Sequence, residues 1–270
     1  MLDKPSLLLK SGMRLLLLAG MFATISAYGQ QARTIEDFDK GWHFHLGDVP
    51  GAEKPGMYDH DWRLLNLPHD WSIEGKFDKN NPATTSGGAL PGGIGWYRKT
   101  FTVPASSKNK QVYIDFDGVY QKSDVWINGH HLGFRPNGYI SFRYDLSPYL
   151  NYGGENLVAV KVDNSSQPNS RWYSGSGIYR NVHLVTTNPV AVNHWGTFIT
   201  TPQVSKSAAA ISIQVALRNN TGRAQQVKAT TTIYNAAGKM VSAANSMAKI
   251  ADSVTIVNQH ASIKAPHLWS

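Results

Sequence analysis

From residue 33 to residue 187 apolar and polar side chains alternate with a period of two, the spacing that turns one face of a strand to a core and the other to water. The clearest runs are 95–103, 112–116, 123–127, 157–162 and 180–185, and no stretch between them carries a helical period of useful length. Asn128-Gly129 separates Val125-Trp126-Ile127 from Leu132 and predicts a tight hairpin, because both residues tolerate positive φ. Ser147-Pro148 predicts a capped single turn of helix reaching Leu150, after which Gly153-Gly154 releases the chain into the next strand. Short strands with frequent turn signals predict an antiparallel β-sandwich of jelly-roll type; a closed barrel would show more uniform strand lengths.

The pattern changes at Asn188-Pro189, a turn signal and the expected domain boundary. Beyond it the apolar runs 190–192, 211–217, 227–234 and 253–257 lie in a background of Ala, Thr and Ser with few aromatics. This predicts a small immunoglobulin-like sandwich over 188–270. Such a domain takes about 100 residues and about seven strands, so its last strands are expected to be missing.

Composition narrows the classes. The sequence is 41% hydrophobic and 16% charged, which fits a packed protein and excludes a disordered chain. It has no Cys, which removes disulfide frameworks, zinc ribbons and thiol nucleophiles together. Lys4, Lys10 and Arg14 precede an apolar run, 15–27, followed by small residues at Ala27 and Gly29. This is the layout of a secretory signal over residues 1–29, too short for a membrane span of roughly 20 apolar residues. Export to a periplasm or the cell exterior is expected, with no membrane association after signal removal. The formal charge of +8 falls to +6 without that segment. The remaining cations are scattered along strand-like runs and form no basic stripe, so no nucleic-acid partner is expected.

Five short patterns in order carry a resemblance: Pro68-His69-Asp70-Trp71, Gly95-Trp96-Tyr97-Arg98-Lys99-Thr100-Phe101, Phe116-Asp117-Gly118-Val119, Val125-Trp126-Ile127-Asn128-Gly129, and the stretch from Ser170-Arg171-Trp172-Tyr173 through Ser174-Gly175-Ser176-Gly177-Ile178-Tyr179-Arg180. Together, over 41–187, they resemble the first domain of glycoside hydrolase family 2, which includes β-galactosidases, β-glucuronidases and β-mannosidases. The Leu268-Trp269-Ser270 ending is similar to a late stretch of that family's second domain. The resemblance implies a galactose-binding-like jelly roll, an immunoglobulin-like domain, and a (β/α)8 barrel carrying two catalytic glutamates. Retaining glycosidases need an acid and a nucleophilic carboxylate about 5 to 5.5 Å apart. The only glutamates here are Glu36, Glu53, Glu74 and Glu155, none of them at a strand end leading into a helix, where barrel enzymes keep catalytic groups. The barrel is therefore expected to be absent, no residue here is assigned a catalytic role, and the chain alone is expected to be inactive.

The resemblance also implies that a loop of the first domain helps hold the terminal sugar. Where some members carry an Asp that bonds sugar hydroxyls, this chain has Arg171, which donates through a planar fork and cannot accept. An ion pair of Arg171 with Asp70 is the competing structural reading. Asp70 has two readings as well, a sugar contact or a turn tied through backbone amides. Trp71, Trp172 and Tyr173 offer ring faces for a pyranose, whereas Trp96, Trp126 and Phe101 belong by their strand positions to the sandwich core. Before Trp96, Pro91-Gly92-Gly93-Ile94 offers a sugar only backbone groups.

The pairs His43/His45 and His130/His131 lack a third ligand, Asp115 and Asp117 lack the rest of a calcium loop, and Ser174 and Ser176 lack a His-Asp partnership. No metal and no cofactor are expected. The leading reading is the non-catalytic N-terminal part of an exported β-galactosidase-like enzyme. Its partners would be a β-galactoside-like glycan and the barrel of the same polypeptide, with self-association left open. A free-standing carbohydrate-binding module and a sandwich adhesion or scaffold protein are the alternatives from other classes.

Overall fold

The computed structural model describes residues 32–269, and the expected signal segment, 1–29, lies outside the described residues. The first part is an antiparallel sandwich of ten strands: β1 (Arg33–Asp37), β2 (Trp42–Leu46), β3 (Arg63–Leu65), β4 (Gly93–Thr102), β5 (Gln111–Phe116), β6 (Ser123–Ile127), β7 (His130–Arg135), β8 (Phe142–Asp145), β9 (Glu155–Asn164) and β10 (Val182–Thr187). A six-stranded sheet runs β3-β2-β4-β9-β6-β7 and faces a four-stranded sheet ordered β1-β10-β5-β8. Alternation decides which side chains meet between them: Trp42 and Phe44, Tyr97, Val125 and Ile127, and Val158 and Val160 from one sheet pack against Val112, Ile114, Phe116, Val182 and Leu184 from the other.

The hairpin at Asn128-Gly129 forms as the sequence predicts, with φ of 50° and 82° at its two residues. The short helical turn covers Ser147–Tyr149, but Ser147 does not cap it. Its Oγ instead accepts the Val112 N–H at 2.8 Å, pinning the turn to β5.

Of the three aromatics that strand position assigns to the core, Trp96 and Trp126 depart from expectation and Phe101 does not. Phe101 packs against the inner core, edge-on to Phe38. Trp96 and Trp126 stack 5.3 Å apart on the opposite face of the six-stranded sheet, in a separate cluster beneath the 47–62 loop with Ala52, Met57 and Trp62. Period-two alternation cannot tell an inner face from an outer face that a long loop covers. Arg98, 2% exposed, holds that loop down: its Nε donates to Asp59 at 2.7 Å, and its guanidinium also reaches the carbonyls of Ala52, Lys54 and Met57. A buried cation is tolerable only when its donors are satisfied in this way.

The second part contains β11 (Val190–Val204), β12 (Ala208–Asn219), β13 (Gln225–Tyr234), β14 (Met240–Ile250) and β15 (Val254–Lys264). A sheet ordered β11-β12-β15 faces the pair β13-β14 across an aliphatic core of Ile211, Ile213, Val215, Leu217, Ile250 and Val257. Buried Gln259 on β15 ties the two layers, accepting from the Thr231 hydroxyl at 2.5 Å and donating to the Ala229 carbonyl at 3.0 Å. The two sandwiches meet through Arg33 to the Val192 carbonyl, Asn220 to Gln111, and the Arg218 guanidinium over the Tyr113 ring.

Candidate functional site

The long connection between β9 and β10 returns beside the Pro68-His69-Asp70-Trp71 turn, and Asp70 joins the two. Its Oδ1 accepts the N–H of Ser72 at 2.9 Å and that of Ser176 at 2.8 Å, and its Oδ2 accepts the Tyr173 hydroxyl. Asp70 thus ties a turn and also holds a loop lying about a hundred residues further along the chain. Below it, Asn164, 1% exposed, donates to the Gly175 carbonyl at 2.8 Å and the Ser176 Oγ at 2.7 Å, and the Ser72 hydroxyl lies between Ser176 Oγ and the Pro91 carbonyl. Gly177 must be glycine: its φ is +126°, and a Cβ there would sit 2.3 Å from the Tyr97 hydroxyl.

This bracing presents a rim. Trp172 is 60% exposed and Tyr173 41% exposed. The Trp172 indole N–H donates to the Tyr139 hydroxyl at 3.1 Å, and Tyr139, itself 54% exposed, meets Tyr120 edge-on at 5.3 Å. Burial first, and then the bond and charge of Asp70, push the Tyr173 phenol well above its ordinary value, so it remains a donor at neutral pH. Arg171 stands exposed beside these rings.

The ion pair weighed for Arg171 and Asp70 is not formed among the described residues. Two backbone amides and a phenol occupy the Asp70 oxygens. Trp71 is no stacking platform: it is 2% exposed, stacks on Phe44, and donates to the Gly92 carbonyl at 3.0 Å. That bond and the Ser72–Pro91 contact turn two carbonyls of the 91–94 loop inward. Of the four sequence candidates, the structure brings Asp70 and Tyr173 into contact and places Trp172 and Arg171 on the same loop. Tyr139 was missed because a lone exposed Tyr after an Asn-Gly turn carries no motif; that turn was its one sequence signal.

Among the described residues no group of three or more His, Asp or Glu is placed to hold a metal ion. Instead, His43 bonds the Asp59 carbonyl, His131 contacts Asp124 at 2.7 Å, and Asp115 closes a two-point pair with Arg143 at 2.5 and 2.6 Å. Glu36 lies on β1, Glu155 opens β9, Glu53 sits in the loop held by Arg98, and Glu74 pairs with Arg63.

Fold and rim define a tandem β-sandwich protein whose first sandwich presents braced aromatic rings on one long loop. Residues 36–189 match the model of the glycosyl hydrolases family 2 sugar binding domain, and residues 193–270 match a second model of glycosyl hydrolases family 2. The chain belongs to glycosyl hydrolase family 2. It is 49% identical over 238 residues to β-galactosidase BoGH2A of Bacteroides ovatus, a match covering 88% of this chain and 28% of that protein. It is 43% identical over 244 residues to a putative β-glucuronidase of Formosa agariphila, covering 90% and 23%. A crystal structure of a family 2 member from Bacteroides cellulosilyticus superposes with a TM-score of 0.84 at 38% identity, covering 87% of this chain and 31% of that one. The chain therefore spans about a quarter of the length of these curated relatives.

Proposed function

We propose that this chain is the non-catalytic, glycan-engaging N-terminal part of an exported family 2 glycosidase acting on terminal β-linked galactosides. The observation that carries the reading is the Asp70-braced loop, which holds Trp172 and Tyr173 exposed beside Arg171. Exposed aromatic rings held in place by hydrogen bonds suit a pyranose, because stacking then orders little that was free. In this reading Trp172, with Tyr139 behind it, supplies a ring face, Arg171 donates to sugar hydroxyls, and Asp70 positions the loop. The galactoside preference is supported by the name of the Bacteroides ovatus relative, at 49% identity, against 43% for the putative glucuronidase. Export is supported by the basic start and apolar run of residues 1–29.

The acid and nucleophile come, in this reading, from a barrel encoded further along the same polypeptide. Reading the gene past the codon for Ser270 tests it. An open frame encoding a barrel with two strand-end glutamates is the expected result. A stop codon at that point, with glycan binding retained, would replace the reading with a free-standing binding module. Turnover of nitrophenyl β-galactoside by the 270-residue chain would overturn its non-catalytic character.

A further inference from the structure

A second concavity lies apart from the rim rings. It is a cleft of about 440 Å³ at the β2–β3 edge, walled by His45, Asp61, Trp62, Arg63, Trp71 and Glu74, among others. Its volume falls within the usual range for small-molecule sites. Arg63 closes a two-point fork on Glu74, both bonds at 2.6 Å, and the fork holds the Glu74 carboxyl below the usual carboxylate range. Asp61 forms no ion pair among the described residues, so the wall carries no surplus positive charge and does not suit an anion. It also lacks the three ligands a metal would need.

Other groups here are left with bonds to make. The indole N–H of Trp62 has no partner among the described residues, and its half-buried ring lies against His45 at 5.2 Å with the Arg98 guanidinium over it at 6.0 Å. Glu74 Oε1 also lies 3.3 Å from Nε2 of the buried His69. A carboxylate offers about four acceptor positions and a guanidinium five donors, and the fork uses only two of each. An aromatic wall beside an internally neutralised fork with spare donors and acceptors matches a neutral ring that has one apolar face and a periphery of hydroxyls.

We propose that this cleft is a second carbohydrate subsite that takes one neutral pyranose unit, with Trp62 against the ring face and Arg63 and Glu74 on the hydroxyls. The inference does not rest on the rim reading. The test is a titration of the ¹⁵N-labelled 270-residue chain with methyl β-galactoside, methyl β-xyloside and lactose, following the tryptophan indole N–H signals by NMR. The expected result is a saturable shift of the Trp62 signal with at least one probe, weakened about tenfold or more by Arg63→Ala and by Glu74→Gln. Unmoved Trp96 and Trp126 signals report that each variant keeps its fold, and Glu74→Gln carries the test if Arg63→Ala does not fold. A Trp62 signal that stays still with all three probes, or a shift both variants leave unchanged, overturns the cleft. Trp172 reads the rim in the same spectra, so movement of one signal without the other separates the two sites.

Discussion

The two sandwiches follow the same alternating code and use it differently. The first buries large aromatics, a guanidinium and several amides, and its loops are fastened by side chains that reach backbone carbonyls and amides. The second packs an aliphatic main cluster, with Asn219 and Gln259 as its buried amides, and leaves Trp195, Phe198 and Tyr234 exposed. Between β11, β12 and β13 it also keeps a cleft of about 520 Å³ lined by Val190, Val215, Leu217 and Val227. Polar fastening costs desolvation unless every group is matched, so it concentrates where loop geometry must be fixed. Aliphatic packing sets no such geometry. In the proposed reading the first sandwich engages the glycan and the second serves in packing.

The largest effect should come from breaking the fastening. Arg98→Ala leaves Asp59 and three loop carbonyls without their donor, and is expected to destabilise the first sandwich by about 3–5 kcal/mol. Arg98→Lys cannot restore a planar fork and should rescue little. Urea denaturation followed by tryptophan fluorescence measures this, because six of the eight tryptophans lie in the first sandwich. In the second sandwich, Ile213→Ala should cost about 2–5 kcal/mol through cavity formation. Its fluorescence signature should be small, which would sharpen the contrast; equal signatures for both variants would blur it.

Asp70→Ala removes the acceptor shared by Ser72, Ser176 and Tyr173, and is expected to cost about 2 kcal/mol and to loosen the 171–176 loop, raising amide hydrogen exchange there. His69 supplies a pH effect. Burial lowers its pKa below the ordinary 6.5, so between that value and its folded value the unfolded chain binds more protons. Its contribution is complete above about pH 6.5 and is lost as the pH falls through that window. Denaturation midpoints across pH 5 to 7 should slope downward toward acid, and His69→Gln should flatten the slope. Trp172→Ala should change stability least, within about 0.5 kcal/mol, since the ring is exposed.

Much of the fold was legible because strands with one buried face alternate in sequence: β6 spans residues 123–127 in both readings, and β5 and β9 differ from the predicted runs only at their ends. Other strands escaped: β1, β3 and β8, at five, three and four residues, are too short to show a clear alternation, and two long ones in the second sandwich were hidden for other reasons. β14 is built mostly of Ala, Ser, Met and Asn and buries only Ala244 and Ile250, so its alternation has little amplitude. β11 was legible only at 190–192, because the register shift between Val192 and Thr197 and a largely exposed second half break its period. At the rim, the sequence placed Arg171, Trp172 and Tyr173 on one loop. It could not show that Asp70 braces that loop, a bond spanning 103 residues to Tyr173, nor that Tyr139 arrives from the β7–β8 connection to meet Trp172.

The central claim is that the first sandwich engages a glycan through its braced rim. Saturation-transfer difference NMR between the 270-residue chain and methyl β-galactoside tests it most directly, run on the wild type, Trp172→Ala and the second-sandwich variant Phe198→Ala. The account predicts transfer to the sugar ring protons that Trp172→Ala diminishes and Phe198→Ala leaves intact. Transfer that survives Trp172→Ala undiminished, or that vanishes with Phe198→Ala, would contradict it.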